Sequence, residues 1–386
     1  MANTLTSAVV DKIFAQSILA FRENAQTPRN VQTDFSAQVA QKGDTISFTK
    51  GDSRTVSDVS PSNTPLSGED STLTNVTLTL NQWRKCSFYL TDKQMAEIAD
   101  GVGTIPLQAS ESLKALANDV DTKLLAEYKD VYEYSGTAGT TPFASDTSLI
   151  SEAKRKLSTN LAPVTDRKMF IDEFAQENVE QLAAFRDVSQ SADESVIREG
   201  VMGRKFGFEW YMNQNIPTHT HGTLSGTTGD NDALINNASV QVGDTSINLD
   251  DTSLTGTIVQ GDIFTVAGDT QTYTATNTVT ASGNAITGLT FSPAAKVAWA
   301  DDAVLTIKTD HVVNLAFQKN AFALAIRSLG APAVTSGNQI LTAVDPVTGI
   351  PFRLEVSRQN KQTLFEYDIL FGVKAVNPEH AVRIAG

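Results

Sequence analysis

Four histidines (His219, His221, His311 and His380) and one cysteine (Cys86) are the only side chains here that combine metal affinity with ready proton or thiol chemistry. Two of them stand in His219-Thr220-His221. On a strand that spacing puts both imidazoles on one face, where they could share a Zn²⁺ ion. No cysteine or third histidine lies close in sequence, so the ligand set is incomplete, and a solvated pair in a linker is the expectation. Further on, Gly229-Asp230-Asn231-Asp232 opens like a calcium loop but lacks the rest of the D-x-[DN]-x-[DN]-G-x₅-E pattern. The run GVGTIP from Gly101 lacks the third glycine of a dinucleotide fingerprint. Neither a GxxxxGK[ST] loop nor a GxSxG elbow occurs. Carboxylates are plentiful and scattered. These residues name no reaction, no catalytic group and no cofactor, and the chain is expected not to be an enzyme.

The charge balance narrows the partners. Of 386 residues, 44 are Asp or Glu and 30 are Lys or Arg, for a net charge of −14. With no Lys/Arg cluster, the chain is a poor nucleic-acid binder, because phosphate neutralisation supplies most of that affinity. A single cysteine excludes an intramolecular disulfide framework. The start, MANTLTSAVVDKIFAQSILAF, has no basic leader, and Asp11, Lys12 and Gln16 interrupt its apolar run, which argues against a secretory signal. No run of about 18 apolar residues is present, so a membrane span is not expected. A soluble protein of a reducing cytoplasm fits these features.

Composition changes abruptly between Gly222 and Asp310. This block contains no Glu, Arg, Cys, Met or His; ten Asp and two Lys give it a net charge of −8. Short apolar-alternating runs punctuated by turn residues (ASVQV, SINLD, DIFTVAG, QTYTATNTVT, AITGLTF, AVLTIK) read as a small all-β barrel or sandwich.

The flanking sequence reads as α+β. Leu5, Val9, Ile13, Phe14, Ile18 and Phe21 predict an N-terminal amphipathic helix. Thr45–Lys50 and a long strand through Val76, Leu78, Leu80, Cys86, Phe88 and Leu90 predict a hairpin whose length needs something to lie on. Thr91 opens a capping box, TDKQ. From about Leu107 to Tyr134 a stripe of Leu113, Leu116, Val120, Leu124, Tyr128 and Val131 predicts a spine helix of roughly 40 Å. Beyond it come a helix over Leu149–Leu157, a strand over Arg167–Ile171, a helix over Glu173–Phe185, a short helix near Glu194 and the strand FGFEWYM. Past the β block, a hairpin over DPVTG and a strongly alternating Thr363–Val373 restore the α+β pattern, so the block reads as an insertion into one host domain.

This order of parts resembles the major capsid proteins of tailed phages with the Hong Kong 97 fold. More narrowly it resembles the coat proteins of short-tailed Salmonella phages, which carry a β-barrel insertion. The similar stretches are LKALANDVDTKL from Leu113, EGVMGRKFGFEWYMNQNIPT with Gly207-Phe208 and Pro217, GDIFTVAG at Gly261–Gly268, and LFGVKAVNPEHAVRI with Gly372-Val373 and Pro378-Glu379.

The resemblance implies an α+β Hong Kong 97-like capsid fold with an inserted barrel. Its parts would be an N-terminal arm over residues 1–35, an extended loop over 36–90, a spine-helix peripheral domain over 91–134, axial halves over 135–221 and 311–386 with a C-terminal peripheral strand, and the inserted barrel over 222–310. It implies assembly in the host cytoplasm into the hexamers and pentamers of a virion shell, with a scaffolding protein and a portal protein as partners, and only weak non-specific contact with packaged DNA. Asp52, Arg54, Asp58, Glu69 and Asp70 become candidates for intersubunit pairs, and Asp11 and Glu23 for scaffold contact. The block's two lysines and missing arginine depart from the charged insertion loop of that family. An encapsulin-type shell protein, or a secreted β-rich adhesin or calcium-binding module, are the alternative readings.

Overall fold

The computed structural model describes residues 26–33, 45–50, 58, 74–99, 107–187, 202–236, 240–327, 338–344 and 350–386. Several expectations fall outside those residues. They are the helix through Leu5 and Phe21, the candidates Asp11, Glu23, Asp52, Arg54, Glu69 and Asp70, the GVGTIP run, the short helix near Glu194 and the DPVTG turn.

A five-stranded sheet is built around the longest strand, Gln362–Ala375. One side of it pairs with Gln82–Thr91, from Thr91 opposite Gln362 to Gln82 opposite Phe371. The other side takes Pro351–Gln359 and then Phe322–Arg327, with Gln339–Val344 outermost. Period-two alternation sends Phe365, Tyr367, Ile369 and Phe371 into one core with Phe88, Leu90 and the helix Leu107–Leu125. Phe88 stacks on Phe365 at 5.2 Å between ring centroids. The helix contributes Leu113, Leu116, Val120 and Leu124, all buried, as its stripe predicts.

That spine helix is shorter than expected. It ends at Leu125, continues as a 3₁₀ turn over Ala126–Asp130, and leads to a strand at Tyr134–Gly136. The β-branched and aromatic run Val131-Tyr132-Glu133-Tyr134 favours extended backbone, and the C-terminal strand pairs with it in parallel. Tyr128 and Val131 remain buried because the tight turn keeps them on the stripe's side.

The second, seven-stranded sheet runs in the order Tyr134–Gly136, Ala381–Ala385, His311–Gln318, Arg167–Ile171, Phe208–Met212, Arg204–Lys205, with Thr218–His219 beside His311–Gln318. Helices Ser148–Thr159, Glu173–Gln181 and Ala183–Arg186 bury Ile150, Leu157, Val179 and Phe185 against Met169, Phe208 and Trp210. The single helix expected over Glu173–Phe185 breaks at Leu182, which is extended. Of residues 311–386, His311–Gln318 and Ala381–Ala385 join this sheet, while the described strands between them, Phe322–Arg327, Gln339–Val344, Pro351–Gln359 and Gln362–Ala375, join the five-stranded sheet beside the spine helix.

The long strand expected through Val76 and Leu90 is two strands. Thr74–Thr79 pairs with Thr45–Lys50, and after Leu80-Asn81 the strand Gln82–Thr91 enters the five-stranded sheet. The alternating faces survive the break: Leu78, Leu80, Phe88 and Leu90 are buried. The hairpin therefore has a partner within its own chain. Ile46, Leu78 and Leu80 pack on Ala323, Ala325 and Val376. Gly372 lets the backbones meet, since a Cβ there would stand 2.3 Å from the Thr79 carbonyl oxygen. Lys50, at the other end of the hairpin strands, ion-pairs with Glu379.

Residues 26–33 form a strap. Gln32 bridges to Phe322–Arg327, donating its N–H to Phe322 O (3.2 Å) and accepting from the Leu324 N–H (2.9 Å). Asn213 Nδ2 reaches both Thr27 Oγ1 (3.1 Å) and Asp121 Oδ2 (3.3 Å) on the spine helix. Burial pushes the Asp121 carboxyl up to about 7, against the hydrogen bond from Asn213.

The block from Gly222 to Asp310 holds a closed barrel in the order Ser246–Asp250, Ala285–Ser292, Tyr273–Ala275, Ile263–Val266, Val304–Ile307, Asp232–Ile235. The run QTYTATNTVT makes two short strands, and Asp232–Ile235 is a strand where a calcium-loop opening stands in the sequence. Closure removes the exposed edges that so small a sheet would otherwise present. An aromatic cluster fills it: Tyr273 meets Trp299 edge-on at 5.0 Å and Phe291 at 5.5 Å. Asp269 accepts from both Tyr273 Oη (2.6 Å) and Trp299 Nε1 (3.1 Å).

The hairpin seat is testable. Gly372→Val places a Cβ against backbone rather than against a movable side chain. A loss of about 1–3 kcal/mol is expected, with amide exchange accelerating in 45–50 and 74–79 before it does in the seven-stranded sheet. Unchanged exchange in the hairpin would refute the seat.

Candidate functional site

Among the described residues, titratable and cationic groups concentrate where the barrel meets the host sheets. The chain leaves the host through Thr218–His219 and returns through His311–Gln318, and these segments pair antiparallel with His219 opposite His311. The barrel is thus clamped at its neck by its own connections.

His219 is buried. Its Nε2 lies 2.8 Å from Asp262 Oδ1, and its Nδ1 lies 2.9 Å from Tyr128 Oη. A carboxylate only accepts, so Nε2 carries a proton and donates it to Asp262. Asp262 is fully buried, and its Oδ2 also accepts the N–H groups of Val259 (2.8 Å) and Gly222 (3.2 Å). Gly222 cannot carry a side chain here, since a Cβ would stand 2.0 Å from Thr257 O.

Among the described residues, Arg383 on the C-terminal strand is one of the largest fully buried side chains. Its Nη1 donates to Gly261 O of the barrel (2.7 Å), and its Nη2 donates to Lys129 O (3.1 Å) and to Thr274 Oγ1 of the barrel (3.2 Å). The guanidinium lies 4.9 Å from the Tyr128 ring centroid. Burial pushes its pKa down to about 9, while Tyr128 and Asp262 hold it up, so it stays a cation at neutral pH. Threonines complete the seam. Thr274 Oγ1 donates to Lys129 O (2.9 Å) and Thr272 Oγ1 to Tyr132 O (2.7 Å), while Gln271 Nε2 reaches Glu133 Oε1 (3.3 Å).

His311 completes the cluster in a less satisfied state. Its Nδ1 lies 2.8 Å from Thr309 O and therefore donates. Its Nε2 is buried with no hydrogen-bond partner. Tyr134 meets the ring edge-on at 5.3 Å, and His219 lies 5.4 Å away. Protonating Nε2 would bury an N–H without an acceptor. Burial, reinforced by Arg383 and His219, pushes the His311 pKa down to about 4.

The expectation of a solvated His219–His221 pair is therefore corrected. His219 lies inside the seam, because the neck it occupies is sandwiched between sheet and barrel. His221 lies outside it, its backbone N–H and its ring Nδ1 both hydrogen-bonded to Asp310 Oδ1. Among the described residues no three His, Cys, Asp or Glu are grouped to hold a metal ion. Asp230 belongs to a turn, accepting from Ser225 Oγ at 2.7 Å. Of the intersubunit candidates only Asp58 is described, and it is exposed. Arg383 was not singled out from the sequence. The signal that could have found it is its inward position between Ala381 and Ala385, a long cation where period-two alternation demands a buried residue.

Two groups give opposite pH dependences. The folded pKa of His311 is depressed from 6.5 to about 4, so the unfolded chain binds more protons between these values and stability falls as pH drops through that window. The full effect is on the order of 3 kcal/mol. Asp121 is raised from 3.8 to about 7, so its stabilisation is present below pH 3.8 and is lost as pH rises through 7. Urea unfolding from pH 4 to 7.5 is expected to show a flatter profile for the wild type than for either variant. Stability should rise with pH in Asp121→Asn and fall with pH in His311→Asn; identical slopes in all three would contradict the assignment. Arg383→Met should cost about 1–3 kcal/mol, the desolvation penalty of buried acceptors left without their donor, with the backbone amides of the seam exchanging first.

No family model matches the chain, and no curated protein matches it. Solved structures do. A chain from Mycobacterium phage Che8 aligns with a TM-score of 0.51 and 12% identity, covering 92% of this chain and 89% of that one. The capsid structure of cyanophage P-SCSP1u aligns at 0.49 and 12% identity, covering 92% and 85%. A virus-like particle from Pyrococcus furiosus aligns at 0.44 and 8% identity, covering 98% and 97%. Over nearly its whole length, the chain shares the fold of the phage Che8 protein.

Proposed function

We propose that this chain is a major capsid protein, the self-assembling subunit of the icosahedral head of a tailed double-stranded DNA phage. The observation that carries the reading is the shared fold with the Mycobacterium phage Che8 chain across 92% of the sequence. The segments resembling tailed-phage coat proteins, from Leu113 to the C-terminal strand, agree with it. Fold alone names no function; the candidate site is a structural seam, which suits a shell subunit.

In this reading residues 1–35 are an inward arm offering Asp11 and Glu23 to a basic scaffolding segment. The hairpin leads into a loop whose Asp52, Arg54, Asp58, Glu69 and Asp70 pair with a neighbouring subunit. Each such exposed pair is worth at most about 1 kcal/mol, but a shell repeats it many times. The barrel is an insertion domain of the short-tailed Salmonella phage type that helps the subunit fold and its capsomers cohere. Packaging around a scaffold and then DNA suits a net charge of −14, because a container that DNA must slide into should not hold it tightly.

The chain should be expressed alone and with its neighbouring genes, then studied by analytical ultracentrifugation and negative-stain microscopy. Shells, spirals or tubes are expected. A clean monomer or dimer in both preparations would overturn the capsid reading, and a co-purifying enzyme inside closed shells would move it to an encapsulin-type compartment.

A further inference from the structure

Helix Ser148–Thr159 ends in a Schellman turn. The Leu161 N–H donates to Ser158 O (3.2 Å) and the Ala162 N–H to Leu157 O (2.9 Å), with Ala162 and Leu157 both in the core. The residue that must turn left-handed there is usually glycine. Here it is Leu161, at φ +59°, with its side chain 84% exposed. Three residues on, Val164 is 66% exposed. An apolar side chain at a strained backbone position, pointing into solvent, is doubly unfavourable for an isolated subunit.

The turn is also held rigid from both ends. Asn160 Nδ2 donates to Glu133 Oε1 (3.1 Å) and Glu379 O (3.2 Å). Buried Arg167 donates from Nε to Pro163 O (2.9 Å), from Nη2 to Ala162 O (2.8 Å) and from Nη1 to Ser158 Oγ (3.2 Å). A buried guanidinium is thus committed to the carbonyls on which Leu161 and Val164 are mounted. Stability of the monomer explains none of this, since a glycine at 161 would relieve the backbone and a polar residue at 164 would be better solvated.

We propose that Leu161 and Val164 form a preorganised apolar knob that seats on a second copy of this chain. The choice of occupant follows from size. A stable pairwise complex removes roughly 1,200–2,000 Å² from water, and two side chains supply a small part of that. Such a knob cannot hold a separate soluble partner by itself. It can contribute where the same contact recurs beside others around a closed ring of identical subunits. Rigidity lowers the ordering cost of each seating. The inference rests on the shell-forming reading and names one of its contacts.

The test uses the full-length chain under conditions where the wild type assembles, with Leu161→Gly, Val164→Ser and Leu161→Met. Leu161→Gly should melt at or above the wild-type temperature, because it relieves the left-handed strain. Its threshold concentration for assembly, read by sedimentation, should nonetheless rise roughly tenfold. Val164→Ser should shift the threshold in the same direction, and Leu161→Met should stay close to wild type. Assembly of both Leu161→Gly and Val164→Ser at the wild-type threshold would overturn the knob and leave the shell reading standing. Failure of the wild type itself to assemble would overturn both.

Discussion

A guanidinium taken fully out of water must be given acceptors, and the rest of this structure is arranged around that requirement at Arg383. Desolvation of a single charge costs several kcal/mol, and only good geometry returns it. The C-terminal strand brings the cation, the turn after the spine helix brings Lys129 O and the Tyr128 ring, and the barrel brings Gly261 O and Thr274 Oγ1. None of these three segments can satisfy the charge by itself. The barrel therefore docks on the host as one cooperative event, and the buried Tyr128–His219–Asp262 chain beside the arginine fixes its register. Asp262 then ties the cluster to the neck through Gly222 and Val259, so the joint between barrel and sheet is a polar core.

The same logic of close approach governs the hairpin. Ala323, Ala325 and Gly372 form a low patch on the five-stranded sheet, into which Ile46, Leu78 and Leu80 settle. A two-stranded ribbon has too little core to stand alone in water. Resting its root on small residues supplies that core without a second layer of structure. The Lys50–Glu379 pair then joins the ribbon to the turn preceding the C-terminal strand, the strand that carries Arg383. Hairpin, barrel and spine helix converge on one short stretch of backbone.

Much of this was legible in the residues. The stripe from Leu113 to Leu124, the alternation in Gln362–Ala375, the strand Arg167–Ile171 and the all-β character of the block follow from local periodicity, which packing reinforces. What was not legible depends on pairing between distant segments. Nothing local to Val76–Leu90 says that its two halves join different sheets; the break at Leu80-Asn81 is imposed by the partners Thr45–Lys50 and Gln362–Ala375. His219 looked like a linker residue because burial at a neck is a property of what closes over it. Arg383 and Leu161 share a cause of invisibility. A single residue breaking a local rule reads as noise until its surroundings show what the exception accomplishes.

The composition of the block, all Asp and no Glu or Arg, now has a structural account. Small barrels are mostly turn, and turns expose N–H groups that a short carboxylate one or two bonds from the backbone can reach. Asp244 accepts from Gln241 N, Asp251 from Thr228 N and Thr252 N, Asp262 from Val259 N and Gly222 N, Asp269 from Gln271 N, and Asp310 from His221 N. A glutamate would overshoot most of these contacts. The backbone N–H of Thr228 holds the Asp251 carboxyl below its usual range, and His221 does the same for Asp310. With Asp230, which accepts from Ser225 Oγ, six of the block's ten aspartates are thus engaged inside the domain or at its neck. Any cohesion the barrel lends to an assembly must then draw on the remaining carboxylates, on Lys296 and Lys308, or on contacts that need no charge at all. The net charge of −8 measures how many turns the barrel must close as much as how strongly its surface repels.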